Sequence, residues 1–108
     1  MAFDVITPAK LGQVAVGIAN TLVHTTPALS VSYVKNIDIA NTTGAAITVT
    51  VYAGNGVATA NTLLPALSIP ANSILQWTGL QILNAADTIQ AIASAVGCTI
   101  TISGATAV

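Results

Sequence analysis

The chain has no arginine, no glutamate and one cysteine, and Lys10, Lys35, Asp4, Asp38 and Asp87 are its only charged side chains, 5% of 108 residues. Soluble domains average about 25%. Each shortage removes a class of function. Two lysines cannot form the basic patch that a phosphate backbone demands, so nucleic acid is not an expected partner. One histidine (His24), one cysteine (Cys98) and three scattered aspartates do not supply the convergent ligands of a metal centre. Gly54-Asn55-Gly56 has neither the lysine nor the following helix of a phosphate loop, so no cofactor is expected either. Cys98 has no intrachain partner and lies in a strand pattern, which predicts a buried, inert thiol on a chain made in a reducing cytoplasm.

Long apolar runs are also missing. Hydrophobic residues make up 54% of the chain, yet Thr, Asn, Ser or Gln interrupts them well short of the ~20 residues a spanning helix needs. One Trp, two Tyr and one Phe are too few for the aromatic girdles of a membrane barrel. Neither membrane insertion nor a signal peptide is expected, since Asp4 sits where a basic n-region would lie. A net charge of −1 on so apolar a chain favours association. Assembly with itself or a partner is the expected outcome, against the plainer alternative of a free monomer with a Thr/Asn/Ser/Gln surface.

What is present is the rhythm of a small antiparallel β protein. Residues 69–93, which hold Trp77, are punctuated by Pro70, by Gly79 and by the corner at Asn84–Asp87. They predict strands at 73–78, 80–83 and 88–94. Upstream, strands are predicted at 12–18, 21–25 and 31–40. In the last, Lys35 falls on the face of Tyr33, Ile37 and Ile39, which signals a bulge. Asn41-Thr42-Thr43-Gly44 is a hairpin turn, and Ile47, Val49, Val51 and Ala53 then alternate against Thr48, Thr50 and Tyr52. Residues 54–62 form the longest loop, placed to cross between sheets or to stand out at one end. Leu63–Ile69, bent by Pro65, suits a short or edge strand, and Cys98, Ile100 and Ile102 alternate in the last. About eight short strands without a helix predict one antiparallel β-sandwich, jelly-roll-like, over residues 10–104. Residues 1–9 are an N-terminal arm, with Phe3, Val5 and Ile6 able to dock on a neighbour, or else a frayed terminus. Residues 105–108 are a short tail.

No residue constellation predicts catalysis. His24 has no acid nearby in sequence and is expected as a hydrogen-bonded strand histidine. Asp87 suits a turn cap, Asp38 a solvated strand position, and the two are not read as the paired carboxylates of a glycosidase. Trp77 belongs on a buried or interface face, with sugar stacking the lesser alternative. No enzymatic activity and no small-molecule substrate are expected.

Val34-Lys35-Asn36-Ile37, Asn41-Thr42-Thr43, Asn61-Thr62-Leu63-Leu64-Pro65, Ile69-Pro70-Ala71-Asn72-Ser73, Trp77-Thr78-Gly79-Leu80 and Leu83-Asn84-Ala85-Ala86-Asp87-Thr88-Ile89, with the closing Thr101-Ile102-Ser103-Gly104, resemble small β-sandwich virion proteins of tailed bacteriophages. Two positions depart from the pattern. Ala86 stands where glycine is usual, at a cost of ~1–2 kcal/mol if the residue is left-handed. Thr26-Pro27-Ala28-Leu29 replaces a Val-Pro-Ala-Gly. The resemblance implies a structural virion role. The first candidate is a capsid decoration (cement) protein, a homotrimer that bridges major capsid protein subunits at the capsid surface. The other is a tail, fibre or collar component contacting a host receptor or other tail proteins through loops 26–30 and 54–62. Interface candidates are Phe3, Val5, Ile6, Asn55, Val57 and Trp77.

Overall fold

The computed structural model describes residues 6–56 and 59–107. Eight strands follow in order: β1 (Ile6–Val16), β2 (Thr21–Thr25), β3 (Val31–Asn41), β4 (Ile47–Gly54), β5 (Thr62–Ile69), β6 (Ser73–Leu83), β7 (Thr88–Ala93) and β8 (Cys98–Ala107), with one 3-10 turn, Thr59–Asn61. They form two antiparallel four-stranded sheets, β1-β8-β3-β6 and β2-β7-β4-β5, called sheets A and B below. This is the jelly roll. The pairs β4–β5, β3–β6, β2–β7 and β1–β8 nest one inside the next, as if a single long hairpin had been rolled up.

The alternating apolar residues meet between the sheets. Val34, Ile37, Ile39, Ile100 and Ile102 of sheet A pack on Ile47, Val49, Val51, Ile69 and Ile89 of sheet B, all buried. These β-branched side chains suit a pleated surface and lose little rotamer freedom there. Each one fully buried contributes about 1.5–3 kcal/mol. Among the described residues no aromatic ring is part of the buried core; Trp77 is packed against it only in part.

Several expectations are corrected. Residues 6–9 are no arm: they form the start of β1, paired with residues 104–107, so residues 105–107 of the expected tail are strand as well and Ala107 is buried. Pro8 fits because β1 is an edge strand, where only one side needs backbone hydrogen bonds. Gly79 does not end a strand. β6 runs through it, and the irregularity is absorbed as a register shift opposite β3 between Val34 and Asn36. Loop 54–62 does not cross between sheets, since β4 and β5 are neighbours in sheet B. The bulge expected at Lys35 is present in both pairings of β3.

Candidate functional site: an apolar groove on the outer face of sheet A

The β3 bulge makes the site. Val34 points into the core and Ile37 does too, so the residues between them take up an extra position and Lys35 is turned outward. Opposite Val34 on β8 lies Gly104, where a Cβ would come within 1.8 Å of the Tyr33 carbonyl oxygen. Only glycine lets the two strands close there. The register then sets Ile6 and Pro8 of β1, Ala105 of β8 and Tyr33 of β3 on the outward face. With Lys35, Gly104 and Leu80 of β6 they line an open groove of about 450 Å³. Ile6 is 60% exposed and Leu80 56%. The lining is apolar except for the Lys35 ammonium and the Tyr33 hydroxyl. It suits a hydrophobic side chain accompanied by an acidic or hydrogen-bond-accepting group.

Of the residues predicted from sequence, Ile6 lies in this groove. Trp77 does not: its register partner is Ile37, which puts it on the core side of β6, with its ring leaning over Gly79. Asn55 is exposed in the β4–β5 loop, where Asn61 Nδ2 donates to the carbonyls of Asn55 (2.9 Å) and Gly56 (3.2 Å). Phe3, Val5 and Val57 lie outside the described residues. Pro8, Tyr33, Lys35 and Leu80 were missed. The one available signal was Lys35 breaking the alternation of β3.

The loops at residues 26–30, 54–56 and 84–87 gather at one end of the sandwich. Thr26 N–H donates to the Asp87 carbonyl (2.9 Å) and Ala86 N–H to that of Thr26 (3.1 Å), while Thr88 Oγ1 donates to the Gly54 carbonyl (3.1 Å). Asp87 caps its own corner, accepting from Asn84 N–H at 3.0 Å. Leu29 (φ 61°) and Ala86 (φ 70°) are both left-handed, so each occupies a glycine conformation without being glycine.

His24 is bonded through both ring nitrogens. Nδ1 is 3.1 Å from the Leu11 carbonyl, which can only accept, so Nδ1 carries the proton. Nε2 then accepts from Ser32 Oγ at 2.9 Å, and Ser32 Oγ accepts from Thr26 Oγ1 at 3.1 Å. Ser32 and Thr26 are buried. Burial lowers the His24 pKa against the weaker opposing pull of the Leu11 carbonyl, and so favours the neutral ring. Cys98 is a buried free thiol whose pKa burial raises. Asp38 is only partly exposed, not freely solvated as expected. It sits on β3 between β6 and β8, accepts from Asn36 Nδ2 at 2.9 Å, and both Asn36 Oδ1 and Asp38 Oδ1 are buried without a partner among the described residues. No group of three or more metal-ligating side chains occurs among the described residues.

No family model, curated protein or solved structure matches the chain.

Proposed function

We propose that this is a non-enzymatic structural protein of a phage virion, a capsid decoration protein that stabilises the head by bridging major capsid protein subunits. The observation that carries the reading is the open apolar groove on the outer face of sheet A, on a chain with only two lysines and three aspartates. A protein present in many copies can hold a lattice through modest apolar contacts, because symmetry turns weak contacts into avidity. Jelly rolls recur in capsid and lectin domains, which supports the reading by analogy of fold, as does the resemblance of the strand and turn segments to phage virion proteins.

A second reading, a tail or fibre domain contacting a receptor, draws on the three loops gathered at one end with exposed Leu29 among them. The copy number per purified virion, measured by quantitative mass spectrometry against the major capsid protein, separates the two. A ratio near unity is expected for decoration. A few copies would transfer the role to the tail and its loops, and absence from the particle would sink both.

A further inference from the structure

The four edge strands of this sandwich are not equally protected. Exposed edges offer unpaired N–H and C=O groups to any other strand, and β proteins block them with proline, lysine, bulges or short length. β1 has Pro8, Lys10 and a register break between Lys10 and Gly12. β2 has five residues and a break between Leu22 and His24. β5 has Pro65 and two breaks against β4. β6 is the least protected. It is 11 residues long, SILQWTGLQIL, with no proline and no charge; it has one register break, at Gly79–Leu80 opposite Lys35, but residues 73–78 hold unbroken register with β3. Among the described residues it has no strand on its other side. It also carries three of the large exposed hydrophobics, Ile74, Leu80 and Ile82.

We propose that β6 pairs antiparallel with β6 of a second copy about a two-fold axis, joining two A sheets into one continuous eight-stranded sheet. An antiparallel pair is its own symmetry mate, so one edge serves both partners. The axis stands perpendicular to the sheet, which matches outward residues with outward residues and core-side residues with core-side residues. Any register centred on a residue satisfies this, including two near the middle of the strand. Centred on Gln76, Ile74 faces Thr78 and Leu75 faces Trp77 of the other copy. Centred on Trp77, the two Trp77 rings meet and Gln76 faces Thr78. With no charge on the strand, neither register sets like charges opposite each other. Both outer faces fall on the same side, so the two apolar grooves share one surface. The trimer implied by the sequence resemblance needs a different contact, because this one closes at two.

Gln76 and Thr78 are exposed and point away from the core, which makes them the positions to test. Sedimentation equilibrium of the wild-type chain is expected to give twice the 10.7 kDa chain mass. The double variant Gln76→Lys/Thr78→Lys sets lysines opposite one another in either register. It is expected to sediment as a monomer with an unchanged β-type circular dichroism spectrum, and Trp77 emission shifts to the red. The variant Gln76→Glu/Thr78→Glu is expected to be monomeric too, and an equimolar mixture of the two variants should regain the dimer mass. A wild-type monomer or trimer, a dimer that survives the lysines, or a mixture that stays monomeric would each overturn the pairing. None of these outcomes bears on virion copy number, so this inference and the decoration reading stand or fall separately.

Discussion

At the scale of single residues, the backbone holds strain that substitution can release. Ala86 and Leu29 sit left-handed at exposed loop positions. Glycine removes the ~1–2 kcal/mol penalty of a Cβ there, offset in part by its greater freedom when unfolded. Ala86→Gly is expected to raise unfolding free energy by about 0.5–1 kcal/mol in urea titration. Gly104 is the reverse case. Its missing Cβ is the space taken by the Tyr33 carbonyl, so Gly104→Ala should cost about 3 kcal/mol, as overpacking against rigid backbone does. His24 adds a pH dependence whose sign follows from its lowered pKa. The unfolded imidazole takes up a proton at higher pH than the folded one, so the unfolded state binds more protons over that interval. Stability is full above the unfolded value of 6.5 and falls as pH drops from there through the folded pKa. Thermal melts between about pH 7 and pH 5 should show this decline, and His24→Gln should remove most of it.

At the scale of elements, one side chain gathers much of the bonding at the end opposite the loop cluster, beside the backbone bond from Asn72 N–H to the Thr43 carbonyl (3.0 Å). Asn41, buried at the end of β3, directs Nδ2 at the carbonyls of Ala45 (2.8 Å), Ile69 (3.0 Å) and Pro70 (3.2 Å). Its Oδ1 accepts from Thr43 N–H at 3.0 Å and Thr43 Oγ1 at 2.7 Å. The β3–β4 turn is thereby tied to the β5–β6 turn, across the two sheets. Each net hydrogen bond is worth ~1 kcal/mol and each acceptor orphaned in the interior costs more. Asn41→Ala is therefore expected to lose about 3 kcal/mol or more, seen as a lower urea midpoint with an unchanged slope. On the outer face, Leu80→Asp places a carboxylate in the groove without touching the core, since Leu80 is exposed. If the groove is the capsid contact, that variant should load onto purified capsids at least about tenfold less while melting like the wild type, a loss of ~1.4 kcal/mol in binding.

At the scale of the whole molecule, the nested pairing makes nearly every stabilising contact long-range. β1 joins β8 across the length of the chain, and among the described residues the hairpin β4–β5 is the only pair of strands adjacent in sequence. Loop closure must precede the contacts that reward it, so refolding is expected in milliseconds to seconds, slow for a domain of this size. Stopped-flow Trp77 fluorescence reads it directly.

Strand number, the turn at residues 41–44, the bulge at Lys35 and the buried Cys98 were legible in the chain, because alternation and turn chemistry are local properties of neighbouring residues; that this turn is not the expected hairpin but carries the chain from β3 in one sheet to β4 in the other was not. What only the tertiary structure decided was which strands share a sheet and which lie at its edges. Sheet membership follows from contacts between residues far apart in sequence, and no local pattern records them. That is why residues 6–9 were taken for an arm, when β8 supplies their partner, and why Gly79 was taken for a turn, when β3 holds both of its sides in one strand. It is also why the groove went unseen: Pro8, Tyr33, Leu80 and Ala105 come from four strands and meet only once the hairpin has been rolled up.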